Sequence, residues 1–81
     1  MAAIYLLDVP EFQPIATSAR KQGLTVTTLR SGYIRLQSPG VLELRRKPTG
    51  VKLPVWFGAP TGGLEGRIDL FDKDLLRVVD E

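Results

Sequence analysis

The sequence predicts a small α+β domain in which one N-terminal helix packs on a mostly antiparallel sheet, in the order β-α-β-β-β-β-β(-β). A short apolar run followed by a helical stripe predicts the first strand and the helix. Between Leu24 and Lys47, hydrophobic residues then alternate with a period of two, and the alternation breaks only at Gly32 and Gly40. At 81 residues, the chain 1–81 is expected to form one domain near the lower size limit for a self-sufficient core.

The first strand is predicted at Ala3–Leu7, and the helix follows it. Asp8 offers an N-cap oxygen, but a helix that began there would carry Pro14 in its interior, where proline removes a hydrogen bond. We therefore expect residues 9–12 to form a separate turn and the helix to begin near Phe12. Its apolar stripe consists of Phe12, Ile15, Ala16 and Ala19.

The alternating stretch is predicted to form a three-stranded meander, at Leu24–Leu29, Tyr33–Gln37 and Val41–Arg46. A three-residue loop at 30–32 places Thr28 opposite Ile34 and Val26 opposite Leu36, with Gly32 in the left-handed conformation. The side chains Val26, Ile34 and Leu36 would then face the core, and Tyr33 and Arg35 would lie on the reverse face.

The second corner of the meander needs a bulge or a connection of three to five residues at Ser38–Gly40. Only a loop with an odd number of residues pairs Leu36 with Leu42 and Ile34 with Leu44, and this pairing keeps the apolar side chains on one face.

The C-terminal third is predicted to contain further short strands. Leu53–Phe57 is assigned to a strand, with Pro54 at a sheet edge or strand start, and Gly58–Gly63 to a loop. Arg67–Phe71 alternates, which predicts that Ile68 and Leu70 share one side, and it is expected to form a hairpin with a segment at 75–79. A short helix at 75–79 is the alternative, and the β-branched residues there favour the strand.

The absence of His and Cys excludes a Cys/His zinc site, a thiolate nucleophile and an imidazole base. No catalytic residue, metal site or cofactor is assigned. Asp69, Asp72 and Asp74 lack the spacing of a calcium loop, and Asp72 is expected to accept hydrogen bonds in a turn.

Charge is unevenly distributed although the net charge is only +2. Residues 20–52 hold eight basic residues and one acidic residue, whereas residues 53–81 hold three basic and six acidic residues. This asymmetry fits either a patch for an anionic partner or charge pairing within or between subunits. The small core favours self-association. No apolar run is long enough to span a bilayer, and with no leader-like segment and no cysteine we expect a cytoplasmic protein without membrane contact.

Three functions remain open, and the leading hypothesis is a non-enzymatic binding or accessory protein that contacts itself or another protein. Its candidate contact residues are Trp56, Phe57, Gly58, Thr61, Gly62, Gly63 and Arg67. The alternative is that the aromatic residues fill the core and the glycines only make turns.

A second hypothesis is nucleic-acid binding by a basic sheet face, whose candidate residues are Tyr33, Arg35, Arg45, Arg46 and Lys47. A third is a small enzyme or ligand-binding protein with a pocket at Gly58–Gly63. In that case Arg67 would clamp an anion and Glu65 would be a candidate base.

Overall fold

The computed structural model describes residues 1–80, which form seven strands, two α-helices and three short 3₁₀ turns, and it confirms the α+β class. In chain order the regular elements are β1 (Ala2–Leu7), α1 (Gln13–Lys21), β2 (Thr25–Thr28), β3 (Tyr33–Ser38), β4 (Leu42–Arg45), α2 (Leu53–Gly58), β5 (Leu64–Glu65), β6 (Arg67–Phe71) and β7 (Leu75–Val79). The 3₁₀ turns are Pro10–Phe12, Lys47–Thr49 and Ala59–Gly62.

The first sheet has the strand order β2-β3-β1-β5, and each adjacent pair is antiparallel. Its β2–β3 hairpin confirms the register predicted from the alternation, since Val26 pairs with Leu36 and Thr28 pairs with Ile34. Gly32 has φ of 89°, the left-handed conformation that the three-residue loop requires. Because β3 lies between them, β1 and β2 are not neighbours.

The predicted three-stranded meander is wrong at its third strand. Leu42 and Leu44 are fully buried, as their phase indicates, but they pair with Val78 and Leu76 of β7 instead of with β3. The second sheet therefore has the order β4-β7-β6 and is separate from the first. Alternation identifies which side chains are buried, but it does not identify the strand that pairs with them.

The helix α1 begins where the proline argument places it. A 3₁₀ turn at Pro10–Phe12 precedes it, and Pro14 lies in its first turn, where a missing N–H costs nothing. The Asp8 side chain does not cap the helix. Its Oδ1 instead accepts a 2.7 Å hydrogen bond from the side-chain amide of Gln13.

The strand predicted at Leu53–Phe57 is also wrong, because Leu53–Gly58 forms the short helix α2. Pro54 lies in its first turn, and the Trp56 N–H donates to the Lys52 carbonyl at 3.0 Å. Proline is favoured in the first turn of a helix as well as at a strand edge, so Pro54 is compatible with the helix that forms.

The C-terminal hairpin is confirmed, with β6 and β7 antiparallel and residues 75–79 in a strand. A bulge lies between Ile68 and Leu70. As a result, Ile68 pairs with the buried Val78 and Leu70 pairs with Arg77, so the prediction that Ile68 and Leu70 share a side is wrong.

One core cluster joins the inner faces of both sheets, α1 and α2. Its largest fully buried side chains are Trp56, Ile4, Leu6, Ile15, Leu36, Leu42, Leu44, Leu76 and Val78. Among the helices of residues 1–80, none has the length and apolar character needed to cross a membrane.

Candidate functional site

The helix α2 divides the two aromatic residues of the candidate segment between the core and the surface. Trp56 is only 1% exposed, and its Nε1–H donates a 2.7 Å hydrogen bond to the Asp72 carbonyl. Phe57 is 44% exposed. Trp56 is therefore a core residue, as expected if the aromatic residues fill the core. Phe57 is accessible to a partner.

Phe57 adjoins the end of β6. Its ring centroid lies 5.0 Å from that of Phe71, and Phe71 also meets Trp56 edge-on at 5.8 Å. Leu53, one helical turn before Phe57, is exposed as well. These contacts join the exposed side of α2 to the second sheet.

Strand β6 is an edge strand whose first four side chains are exposed. Two of them are large and apolar: Ile68 is 39% exposed and Leu70 is 36% exposed. We call the apolar residues of α2 and this strand the α2–β6 surface, and they are Leu53, Phe57, Ile68, Leu70 and Phe71. Ile68 and Phe71 pair with the buried Val78 and Leu76, whereas Leu70 pairs with Arg77 and lies on the other face of the strand.

Charged residues flank the α2–β6 surface on the outward face of the second sheet. The Arg77 guanidinium donates to Glu43 at 2.7 Å and to Asp69 at 3.4 Å. These two carboxylates raise the pKa of Arg77. These two ion pairs are internal and link all three strands of the second sheet, but their basic residue, Arg77, lies outside the basic stretch 20–52 whose pairing was predicted.

The segment Gly58–Gly63 is not an irregular loop as predicted, because it holds the end of α2 and the 3₁₀ turn Ala59–Gly62, and this glycine-rich turn packs against the chain's own first strand. A Cβ atom at Gly62 would lie 2.3 Å from the Tyr5 carbonyl oxygen and 3.1 Å from the ring of Tyr33. The Gly63 carbonyl accepts the Tyr5 N–H at 3.0 Å, and the Thr61 hydroxyl donates to the Gly58 carbonyl at 2.7 Å. The close backbone approach that requires Gly62 is therefore an approach to β1.

Glu65 and Arg67, the candidate base and anion clamp, lie in different sheets. They flank Gly66, whose φ of 108° turns the chain from β5 into β6. The Glu65 carboxylate accepts a 2.7 Å hydrogen bond from the Tyr5 hydroxyl. This bond and the partial burial of the phenol raise the pKa of Tyr5.

The nucleic-acid candidates are divided between two sheets. Tyr33 and Arg35 lie on the outer face of the first sheet, and the Arg35 Nε is shielded from solvent without a hydrogen-bond partner. Arg46 is used internally, since its guanidinium donates to the backbone carbonyls of Lys73 and Val51.

Arg45 and Lys47 line a cleft of about 280 Å³ at the end of β4, together with Pro48 and Asp74. A larger cleft of about 450 Å³ lies between α1 and the turn Lys47–Thr49. None of the candidate functional residues predicted from the sequence lines it. Within residues 1–80, no group of three or more acidic side chains converges so as to hold a metal ion.

Phe57 was a predicted candidate, whereas the other residues of the α2–β6 surface were not. Ile68 and Leu70 had a partial signal, since they were predicted to lie in a strand, but nothing in the sequence marked that strand as a sheet edge. Leu53 and the half-buried Phe71 had none, because the contact of Phe71 with Phe57 and the exposure of Leu53 were not expected of a strand at 53–57.

No protein-family model matches this chain, and no curated protein is detectably similar to it.

Proposed function

We propose that this chain is a small non-enzymatic binding or accessory protein that acts through protein–protein contacts, with the α2–β6 surface as its contact region. The observation that carries the proposal is the half-exposed ring of Phe57 beside Phe71, next to an edge strand with Ile68 and Leu70 exposed. The proposal includes a cytoplasmic location, which rests on the absence of cysteine.

Exposed apolar residues are informative when they are grouped. A single exposed leucine is ordinary, whereas aromatic and aliphatic side chains that adjoin one another typically mark an interaction site. Aromatic residues also supply a large share of the binding energy in protein interfaces, because they bury much area at little entropic cost. Phe57 fits that role, since the neighbouring ring of Phe71 restricts its position.

The polar groups support binding over catalysis. Besides the exposed pair of the N-terminal amine with Asp80, the close arrangements of ionisable groups within residues 1–80 are two, Tyr5 with Glu65, and Arg77 with Glu43 and Asp69. Both lie on open sheet faces, whereas general acid–base pairs work in clefts that exclude water. The division of the basic residues between two sheets likewise gives no continuous track for a nucleic acid.

Site-specific photo-crosslinking tests the proposal in cells. Phe57 is replaced by p-benzoylphenylalanine, which keeps an aromatic ring at that position, and Val41 is replaced in the same way as a control. Val41 is also apolar and exposed, but it lies before β4 and outside the α2–β6 surface. We expect a discrete protein adduct from position 57 and none from position 41. Equal labelling at both positions, or none at 57, would contradict the proposal.

A further inference from the structure

We propose that the partner is a second copy of this chain, and that two copies of β6 pair antiparallel about a two-fold axis at Ile68. This inference rests on the proposed function in taking the α2–β6 surface as the interface. It goes further by naming the occupant of the surface and the register in which it binds.

The edges of the two sheets differ in their ability to accept another strand. In the first sheet, β5 has only two residues. In the second sheet, Gln22 blocks the end of β4, since its side chain accepts the Arg45 N–H at 2.9 Å and donates to the Arg45 carbonyl at 3.2 Å. The strands β2 and β6 remain as open edges.

Of these two open edges, β6 carries the features of an interface. Strand β2 has the sequence Thr-Val-Thr-Thr, in which no charge selects a partner and the middle two residues are half-buried. Strand β6 exposes its first four side chains, including Ile68 and Leu70, and Phe71 at its end contacts Phe57. A chain that pairs with β6 therefore also covers apolar area that β2 does not offer.

The charges of β6 are complementary to themselves in one register. Arg67, Ile68 and Asp69 run from positive through neutral to negative. A two-fold axis at Ile68 places each Arg67 opposite Asp69 of the second copy, so that two opposite-charge pairs form. Moving the axis to Arg67 or to Asp69 sets like charges against each other, which disfavours those registers.

The local geometry supports this arrangement. Asp69 lies on the outward face, because its carboxylate reaches Arg77, and Arg67 lies on the same face opposite Val79. Ile68 lies between them and points inward with Val78. Asp69 is the extra residue of the bulge and has no ladder partner on β7, so pairing between the copies is short and irregular. We therefore expect a weak dimer, with a Kd in the micromolar to millimolar range.

Charge reversal tests both the partner and the register. Arg67→Asp makes the edge of β6 wholly acidic, and Asp69→Arg makes it wholly basic. Each variant alone would set like charges opposite each other twice, and we expect its self-association to weaken at least about tenfold. An equimolar mixture of the two restores opposite-charge pairs, so we expect a heterodimer. Sedimentation equilibrium, with one variant fluorescently labelled, measures the association of R67D alone, of D69R alone and of their mixture.

Arg67→Lys is the matched control, because it keeps the charge and should keep the wild-type association. Far-UV circular dichroism establishes that each variant is folded, and the comparison of R67D with R67K stands even if D69R does not fold. A wild type that stays monomeric would overturn the inference, although a Phe57 adduct with a different protein would still support the proposed function. A wild-type dimer that neither reversal weakens would overturn the register and indicate pairing elsewhere, such as along β2.

Discussion

The indole N–H of Trp56 donates a 2.7 Å hydrogen bond to the backbone carbonyl of Asp72, in the turn between β6 and β7. This bond fixes the short helix α2 against the end of the C-terminal hairpin. Since Phe57 follows Trp56 in the chain, the same bond holds the Phe57 ring beside Phe71. A buried residue thus positions the exposed aromatic residue of the α2–β6 surface.

Replacing Trp56 should therefore destabilise the fold. Trp56→Phe removes the donor, leaves the Asp72 carbonyl without its partner and reduces a buried ring, so we expect a loss of about 1–3 kcal/mol in the free energy of unfolding. Urea unfolding followed by far-UV circular dichroism measures it. Phe57→Leu is the control, and its cost should be about 1 kcal/mol or less, since it only alters a half-exposed aromatic pair. Equal losses would show that the indole bond is unimportant.

The glycine-rich loop offers a matched pair of substitutions. Gly62→Ala would place a Cβ 2.3 Å from the Tyr5 carbonyl oxygen, and we expect the strain to cost about 1–3 kcal/mol. Gly58→Ala meets nothing within 4 Å and ends a helix, so we expect little change or a gain of up to about 1 kcal/mol. Thermal unfolding of both variants distinguishes them. A neutral Gly62→Ala would mean that the loop does not pack on β1 as described.

Stability should depend on acid pH through Asp72. The N–H groups of Asp74 and Leu75 donate to its carboxylate at 2.9 Å each and lower its pKa. A carboxyl whose pKa is lower in the folded state stabilises the protein above its unfolded pKa, and this contribution disappears as the pH falls through the folded pKa. The stability advantage of wild type over Asp72→Asn should therefore be full at neutral pH and shrink below about pH 4. Urea unfolding at several pH values checks this, and a constant advantage down to acid pH would contradict it.

Tyr5 should titrate above the ordinary range of tyrosine. In a Tyr33→Phe background Tyr5 is the one remaining tyrosine, and its ionisation can be followed by tyrosinate absorbance. The hydrogen bond to Glu65 and burial raise its pKa above about 10, and Glu65→Gln should lower it. Because the folded pKa is raised, this contribution to stability is present below about pH 10 and is lost as the pH rises further. A midpoint at or below the ordinary value, unchanged by Glu65→Gln, would exclude the bond.

Local patterns predicted the parts of the fold that depend on neighbours in the chain. The register of the β2–β3 hairpin follows from the alternation of apolar side chains, because only a three-residue loop keeps them on one face of both strands. Gly32 supplies the positive φ that this loop requires. The start of α1 follows from the position of Pro14. The role of Asp72 is likewise local, because its carboxylate accepts hydrogen bonds from the N–H groups two and three residues further along the chain.

The parts that the sequence did not predict depend on distant contacts. The chain crosses to a second sheet after β3, and burial of Leu42 and Leu44 is equally satisfied by either sheet. The apolar run Leu53–Phe57 suits a strand or a short helix, and the buried indole bond to Asp72 favours the helix. The α2–β6 surface depends on both features, the separate second sheet and the helical conformation of α2, and neither was predicted from the sequence.

Concentration-dependent NMR of the ¹⁵N-labelled protein tests the central claim most directly, because it reports each backbone amide separately. If two copies pair along β6, the amide resonances of Ile68 and Phe57 should shift as the protein is concentrated from the micromolar to the millimolar range. Those of Val26 and Thr27 on the other open edge should remain unchanged. Resonances of β6 and α2 that stay fixed over this range, or shifts confined to β2, would contradict the claim.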